Sequence, residues 1–68
     1  MPNQQSIIPM FFKQGERVEV IESAPCNVTG FGRIECEANA RPGWYYVRFP
    51  QGELELVQWV FIGKAAEA

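Results

Sequence analysis

The chain of 68 residues contains no histidine and only two cysteines, Cys26 and Cys36. Without histidine, a catalytic triad and a histidine general base are both excluded. Two cysteines cannot supply the four ligands of an ordinary zinc site within one chain. The sequence holds no complete catalytic or metal-binding motif, so we expect a protein without enzyme activity, metal or cofactor.

The sequence also lacks an excess of basic residues and a long apolar run. Six lysines and arginines are spread among eight acidic residues, which leaves a net charge of −2. Because nucleic-acid-binding proteins generally carry a basic patch, this balance argues against non-specific binding to DNA or RNA. No apolar run approaches the roughly 18 residues of a membrane-spanning helix, and the first residues do not resemble a secretory signal. We therefore expect a cytoplasmic protein that stays out of the membrane and keeps its cysteines reduced.

What the sequence does contain is a series of short β-type segments separated by Gly and Pro turns. Alternating apolar residues predict strands near residues 17–22, 30–37, 44–49 and 53–56. Residues 57–62 are open to two interpretations: the fourth strand continues, or a short 3₁₀ turn leads into a fifth strand. Short strands at this spacing predict a small all-β barrel of four to five antiparallel strands.

The same alternation predicts which residues fill the interior. The predicted core consists of Val18, Val20, Ile34, Cys36, Tyr45, Val47, Phe49, Leu54 and Leu56. Glu53 and Glu55 would then face water. A core of this size supplies only about 3–5 kcal/mol, so oligomerisation is the most accessible additional source of stability.

One domain is expected, with a short segment at each end. Residues 1–10 are predicted to form an N-terminal arm that is flexible or docked, residues 11–63 the barrel, and residues 64–68 a C-terminal tail. Five large apolar residues lie in or next to the arm: Ile7, Ile8, Met10, Phe11 and Phe12. Because monomers seldom expose such a patch, we expect the arm to fold back on its own barrel, with docking on a partner as the alternative.

Several segments resemble the small SH3-like barrels, among them KOW-type domains and the accessory barrels of redox and photosynthetic complexes. They are residues 15–20, the paired glycines Gly30 and Gly32, and residues 45–49. The chain has Ala24-Pro25 where the KOW loop has a Gly-Pro step. The resemblance covers about residues 12–62. It implies an SH3-like fold and, through the KOW-type members, a nucleic-acid-binding function; one such fold hosts many functions.

A second resemblance within the same barrel class is to the type II dihydrofolate reductases, which tetramerise around one central pore. Residues 12–18 are similar to the start of their first strand, and Val57-Gln58 is similar to the first half of their pore motif. This resemblance implies a tetrameric reductase. The tyrosine and the lysine of that family's pore have no counterpart here, and a pore without that lysine would bind an anionic cofactor poorly.

The candidate binding surface lies on the third predicted strand. Because the intervening residues fill the interior, alternation places Trp44, Tyr46 and Arg48 on the outward face. Aromatic residues and arginine are enriched at protein-binding hot spots, and Trp59 would extend the set if it lies on the same side. Alternatively, an end segment of the chain covers these side chains.

From this surface we expect a non-enzymatic interaction module or accessory subunit. It would dock a protein partner, or a copy of itself, through Trp44, Tyr46, Arg48 and Trp59. A KOW-like nucleic-acid-binding domain and a reductase-like tetramer are the alternatives.

Overall fold

The computed structural model of the protein describes residues 11–66, so the predicted arm at residues 1–10 and the last two residues of the predicted tail lie outside the described part. Residues 11–66 form five antiparallel strands and one 3₁₀ turn, and this part of the chain contains no α-helix. The elements are β1 (Arg17–Val20), β2 (Gly30–Glu37), β3 (Trp44–Arg48), β4 (Leu54–Gln58), the 3₁₀ turn (Trp59–Phe61) and β5 (Ile62–Lys64). The predicted all-β class is confirmed. Val57 and Gln58 continue the fourth strand, and residues 59–62 then follow the second interpretation, a 3₁₀ turn that leads into a fifth strand.

The strands form one sheet in the order β4-β3-β2-β1-β5. Strands β1, β2 and β3 each pair with the next strand along the chain, whereas β5 pairs with the other edge of β1. In the β3–β4 hairpin, the Gly52 amide donates to the Phe49 carbonyl at 2.9 Å. Gly52 adopts a φ of 102°, a conformation that only glycine tolerates readily, and this geometry closes a common type of short hairpin loop.

One face of the sheet wraps around a single core to which all five strands contribute. Six of the nine predicted core residues are buried there: Val18, Val20, Ile34, Tyr45, Val47 and Phe49. The cluster also contains four residues that the alternation did not single out: Phe12, Ala24, Val57 and Ile62. Because residues of both edge strands, β4 and β5, belong to the same cluster, the sheet curls rather than lying flat.

The prediction that Cys36 is a core residue is wrong, and a β-bulge is the cause. Ile34 lies opposite Val47, but Cys36 lies opposite Tyr46, so Glu35 is an extra residue in β2. A bulge shifts the inward and outward phase of the residues that follow it. Cys36 is therefore exposed on the side of the sheet away from the core.

The predicted orientation of β4 is also wrong. Its register with β3 places Val57 opposite the buried Tyr45 and Leu56 opposite Tyr46. Residues directly opposite each other in an antiparallel pair share one face. Val57 therefore belongs to the core, whereas Leu56 is half-buried on the other face and Leu54 is exposed there.

The two glutamates beside these leucines do not both face water as predicted. Glu55 lies opposite the buried Val47 and is half-buried on the core side of the sheet. Glu53 lies just before β4 and is half-buried too.

Phe11 and Phe12 pack on the sheet of the same chain. The Phe12 ring meets the Tyr45 ring edge to face, with 5.2 Å between the ring centroids. The Phe11 amide donates to the Tyr45 hydroxyl oxygen at 3.1 Å. The other three members of the apolar set near the N-terminus lie outside the described residues.

The burial of Val57 and the exposure of Val60 allow a matched test of the β4 register. Val57 is 2% exposed and Val60 is 48% exposed. We expect Val57→Ala to lower the free energy of unfolding by about 2 kcal/mol, because it removes packed apolar surface. Val60→Ala should change it by about 0.5 kcal/mol or less. Urea unfolding measures both, and equal effects would contradict the register.

A second stability prediction concerns Gly32, which lies on β2 close to the side chains of Val47 and Phe49. A Cβ atom at Gly32 would lie 2.8 Å from the Arg48 carbonyl oxygen, whereas one at Gly63 would meet open space. We expect Gly32→Ala to cost about 1–3 kcal/mol, because backbone must shift to admit the methyl group. Gly63→Ala, also within a strand, should be close to neutral. Thermal unfolding measures the stability of both variants. If Gly32→Ala is as stable as the unmodified protein, β2 and β3 are not as close at Gly32 as the structure places them.

Candidate functional site

Strand β3 places three of the four predicted binding residues on one side of the sheet. Along β3, Tyr45 and Val47 are buried, and Trp44, Tyr46 and Arg48 alternate with them. Trp44 and Tyr46 are half-buried and Arg48 is exposed. The strand periodicity that fills the core therefore also brings these three side chains together on the opposite face.

Neighbouring strands add residues to this face. On β4, Gln58, Leu56 and Leu54 lie opposite Trp44, Tyr46 and Arg48 respectively, and on β2, Cys36 lies opposite Tyr46. We define the outer face as the group Cys36, Trp44, Tyr46, Arg48, Leu54 and Leu56. It combines two aromatic rings and two leucines with one guanidinium, and Leu54 is 44% exposed.

Contacts with charged and polar groups orient two side chains of the outer face, Trp44 and Arg48. The Arg41 guanidinium lies over the Trp44 ring, 3.9 Å from its centroid. Arg48 Nη1 donates to the Gly52 carbonyl at 3.0 Å, and Arg48 Nε lies 3.4 Å from Glu35 Oε1. Both partners of that ion pair are exposed, so it adds little to stability. Its effect is to orient the guanidinium.

Trp59, the fourth predicted binding residue, lies in a different environment. Its ring stacks on Phe11, with centroids 4.4 Å apart and an interplanar angle of 18°, and its edge lies close to Gly43. Phe11 in turn hydrogen-bonds the hydroxyl of Tyr45, a core residue. Trp59 therefore packs on Phe11, which itself packs against the core, and it is still 39% exposed. It is not a member of the outer face as defined above.

The alternation of single strands missed part of this site. Leu54, Leu56 and Cys36 were expected in the core, because the β4 register and the β2 bulge are not visible in the sequence. Arg17 and Arg33 alternate with the buried residues of β1 and β2, so the sequence alone indicates that both face away from the core. Only the pairing shows that Arg17 lies opposite Arg33 and that Arg33 lies opposite Arg48.

Among residues 11–66, two side chains have a pKa shifted from its ordinary value. Burial and the nearby charge of Glu55 raise the pKa of the Cys26 thiol, which donates to the Val28 carbonyl at 3.2 Å. Hydrogen bonds from Lys64 and from the Lys13 amide lower the pKa of Glu16. Glu16 does not belong to the outer face. Its ion pair with Lys64 connects β5 to the turn before β1.

Residues 11–66 contain no group of three or more Cys, Asp or Glu side chains that could hold a metal ion. In the same range no helix is long and apolar enough to cross a membrane.

The two free thiols give a chemical probe of the outer face. Cys36 is exposed, whereas Cys26 is half-buried with a raised pKa. Because the thiolate is the reactive form, we expect iodoacetamide at neutral pH to modify Cys36 first, and Cys26 to react faster as the pH rises. Peptide mapping by mass spectrometry measures both rates, with unfolded protein as the control. Faster modification of Cys26 would contradict the bulge in β2.

Comparisons of the chain with protein-family models, with curated proteins and with solved structures find no match. The resemblance to SH3-like barrels, and through them to KOW-type domains and type II dihydrofolate reductases, therefore stays a prediction.

Proposed function

We propose that this protein is a non-enzymatic interaction module of the SH3-like class that docks a protein partner through its outer face. The observation that carries the proposal is the placement of Trp44, Tyr46 and Leu54 on a face that the core does not use. Folding alone does not require two aromatic rings and two leucines on the solvent side of a small acidic domain. Tyr, Trp and Arg at the centre of an apolar patch are the composition of binding hot spots.

The arrangement of the face supports a preorganised contact. Arg41 over Trp44 and the contacts of Arg48 with Glu35 and Gly52 limit the rotamers of two side chains. Side chains that are already ordered lose less entropy on binding. The β-strands beneath them are rigid elements, which hold a contact surface more accurately than loops do.

The proposal commits to a protein partner and does not include nucleic acid. The chain has eight acidic and six basic residues, and the outer face offers aliphatic as well as aromatic groups. A single-strand binder combines stacking rings with a positively charged groove along the backbone, and leucines contribute nothing to such stacking.

Photo-crosslinking from the outer face tests the proposal. A benzophenone maleimide is attached at Cys36 in a Cys26→Ser background, in which a hydroxyl donor replaces the thiol donor beside the Val28 carbonyl. The control carries the label on the exposed 3₁₀ turn, as Val60→Cys with both native cysteines replaced by serine. We expect the label at Cys36 to capture a discrete protein from an extract of the source cells, and the label at position 60 not to capture it.

Other outcomes of the crosslinking contradict the proposal or change the identity of the partner. The same bands from both positions would mean non-specific capture. An adduct of the chain with itself alone would make the partner a second copy. An adduct that nuclease removes would identify a nucleic acid.

Trp44→Ala is the variant that separates binding from folding. Truncation of a hot-spot aromatic residue costs about 2 kcal/mol or more of binding free energy, so we expect affinity for the captured partner to fall by at least about tenfold. The loss of folding stability should be much smaller than for Val57→Ala, because Trp44 is only half-buried. Calorimetry with the purified partner measures affinity, Val60→Ala is the control for loss of an exposed apolar group, and unchanged affinity in Trp44→Ala would refute the assigned surface.

A further inference from the structure

Strand β4 is an edge strand, and one side of its backbone has no partner strand within residues 11–66. Just past its end, the Trp59 amide donates to the Gly43 carbonyl at 2.8 Å. The odd-numbered residues of β4 therefore direct their backbone groups toward β3. Because these groups alternate along an antiparallel strand, the amides and carbonyls of Leu54, Leu56 and Gln58 point away from the sheet.

The other edge of the sheet is protected from pairing more fully than β4 is. Strand β5 is three residues long and carries Lys64, which pairs with Glu16 at 2.8 Å. Short edge strands, lysines, prolines and bulges are features by which proteins keep an edge from pairing. Strand β4 has five residues, contains neither lysine nor proline, and pairs with β3 without a register shift. Its one charged residue, Glu55, limits which strand can be added.

The sequence of β4 favours one antiparallel register with a second copy of itself. With Leu56 opposite Leu56 of the second copy, Leu54 lies opposite Gln58 and Glu55 lies opposite Val57. All outward-pointing groups are then used, in about six backbone hydrogen bonds. Registers shifted by two residues in either direction form about four. One of them also places Glu55 opposite Glu55, and like charges in that position are destabilising.

The side chains of this register match as well. Leu54 is 44% exposed and Leu56 is half-buried, and both lie on the outer face. Because residues opposite each other on neighbouring strands share one face, the leucines of both copies meet there and leave water. A contact of this kind is the same on both copies and closes with two, so no free β4 edge remains for further chains.

We propose that two copies of this chain dimerise edge to edge through β4, with the two β4 strands antiparallel and centred on Leu56. The unpaired edge, its length and the position of Glu55 carry the inference, which therefore does not rest on the proposed function. In the dimer the two outer faces lie side by side on one continuous sheet.

Single-cysteine variants made with Cys26→Ser and Cys36→Ser test the register. Opposite residues of a hydrogen-bonded pair have Cα atoms about 5.5 Å apart, which a disulfide spans. On mild oxidation we expect Leu56→Cys alone to form a covalent dimer. Leu54→Cys should form one only when mixed with Gln58→Cys, because position 54 of one copy lies more than about 13 Å from position 54 of the other. Electrophoresis without reductant measures the products.

A cysteine elsewhere on the surface is the matched control. Val60 is 48% exposed and lies on the 3₁₀ turn, outside β4. In the same background, Val60→Cys should form much less covalent dimer than Leu56→Cys. Circular dichroism verifies that each variant is folded.

Gln58→Pro tests the hydrogen bonds of the edge. Gln58 has a φ of −74°, which proline adopts, and its amide points away from β3, so the β3–β4 pairing is kept. We expect sedimentation equilibrium of the unmodified chain to show twice the mass of one chain. Gln58→Pro removes two of the hydrogen bonds between copies and should weaken association by about tenfold. Gln58→Ala keeps the amide and should dimerise like the unmodified chain. If Gln58→Pro does not fold, the cysteine variants decide.

Contrary results overturn the dimer separately from the proposed function. An unmodified chain that stays monomeric at every concentration removes the inference. Equal crosslinking of Leu56→Cys and Val60→Cys, or a dimer that Gln58→Pro leaves unchanged, would mean that the copies meet elsewhere. A monomer that still captures a different protein from Cys36 would leave the proposed function standing alone. A dimer that captures no other protein would leave only the β4 pairing.

Discussion

The structure depends on one constraint: a single sheet must supply most of the core by itself. Within residues 11–66 there is no α-helix to cover the sheet, so its apolar face can leave water only by curling around itself. Val57 from one edge strand and Ile62 from the other meet the same cluster as Tyr45 at the centre. Tyr45 is fully buried, and its hydroxyl oxygen accepts the Phe11 amide at 3.1 Å, which satisfies the polar end of the ring.

The curl requires local departures from regular strand geometry, and these also determine the outer face. Gly32 has no side chain where β2 passes Val47 and Phe49, which lets the strands approach closely. The bulge at Glu35 bends β2 and turns Cys36 outward beside Tyr46. Bulges commonly re-aim side chains in this way. The features that close the core therefore also build the candidate binding surface.

The sheet also brings together basic residues that are far apart in the sequence. Six basic residues are dispersed along the sequence, yet three of them come together where β1, β2 and β3 run side by side. Arg48, at one end of this line of three arginines, also belongs to the outer face. On the proposed function, the apolar patch would supply most of the affinity, and the charges would supply orientation and selectivity.

The sequence by itself determined the all-β class, the approximate positions of the strands and the inward phase of β1 and β3. It did so because a strand with one buried face must alternate with period two, and Val18, Val20, Tyr45 and Val47 do. The outward side of Trp44, Tyr46 and Arg48 follows from the same alternation.

Only the tertiary structure decided the phase of β4, the exposure of Cys36 and the packing of Trp59 on Phe11. It also decided that Arg17, Arg33 and Arg48 lie opposite one another on neighbouring strands. In β4, Leu54 and Leu56 alternate as a core-facing pair would, yet pairing with β3 buries Val57 instead. Register and bulges depend on contacts between residues distant in sequence, and a shift of one residue reverses every side chain that follows. The alternation within one strand does not indicate which residue of the neighbouring strand lies opposite each of its residues. The candidate site consists of such cross-strand pairs.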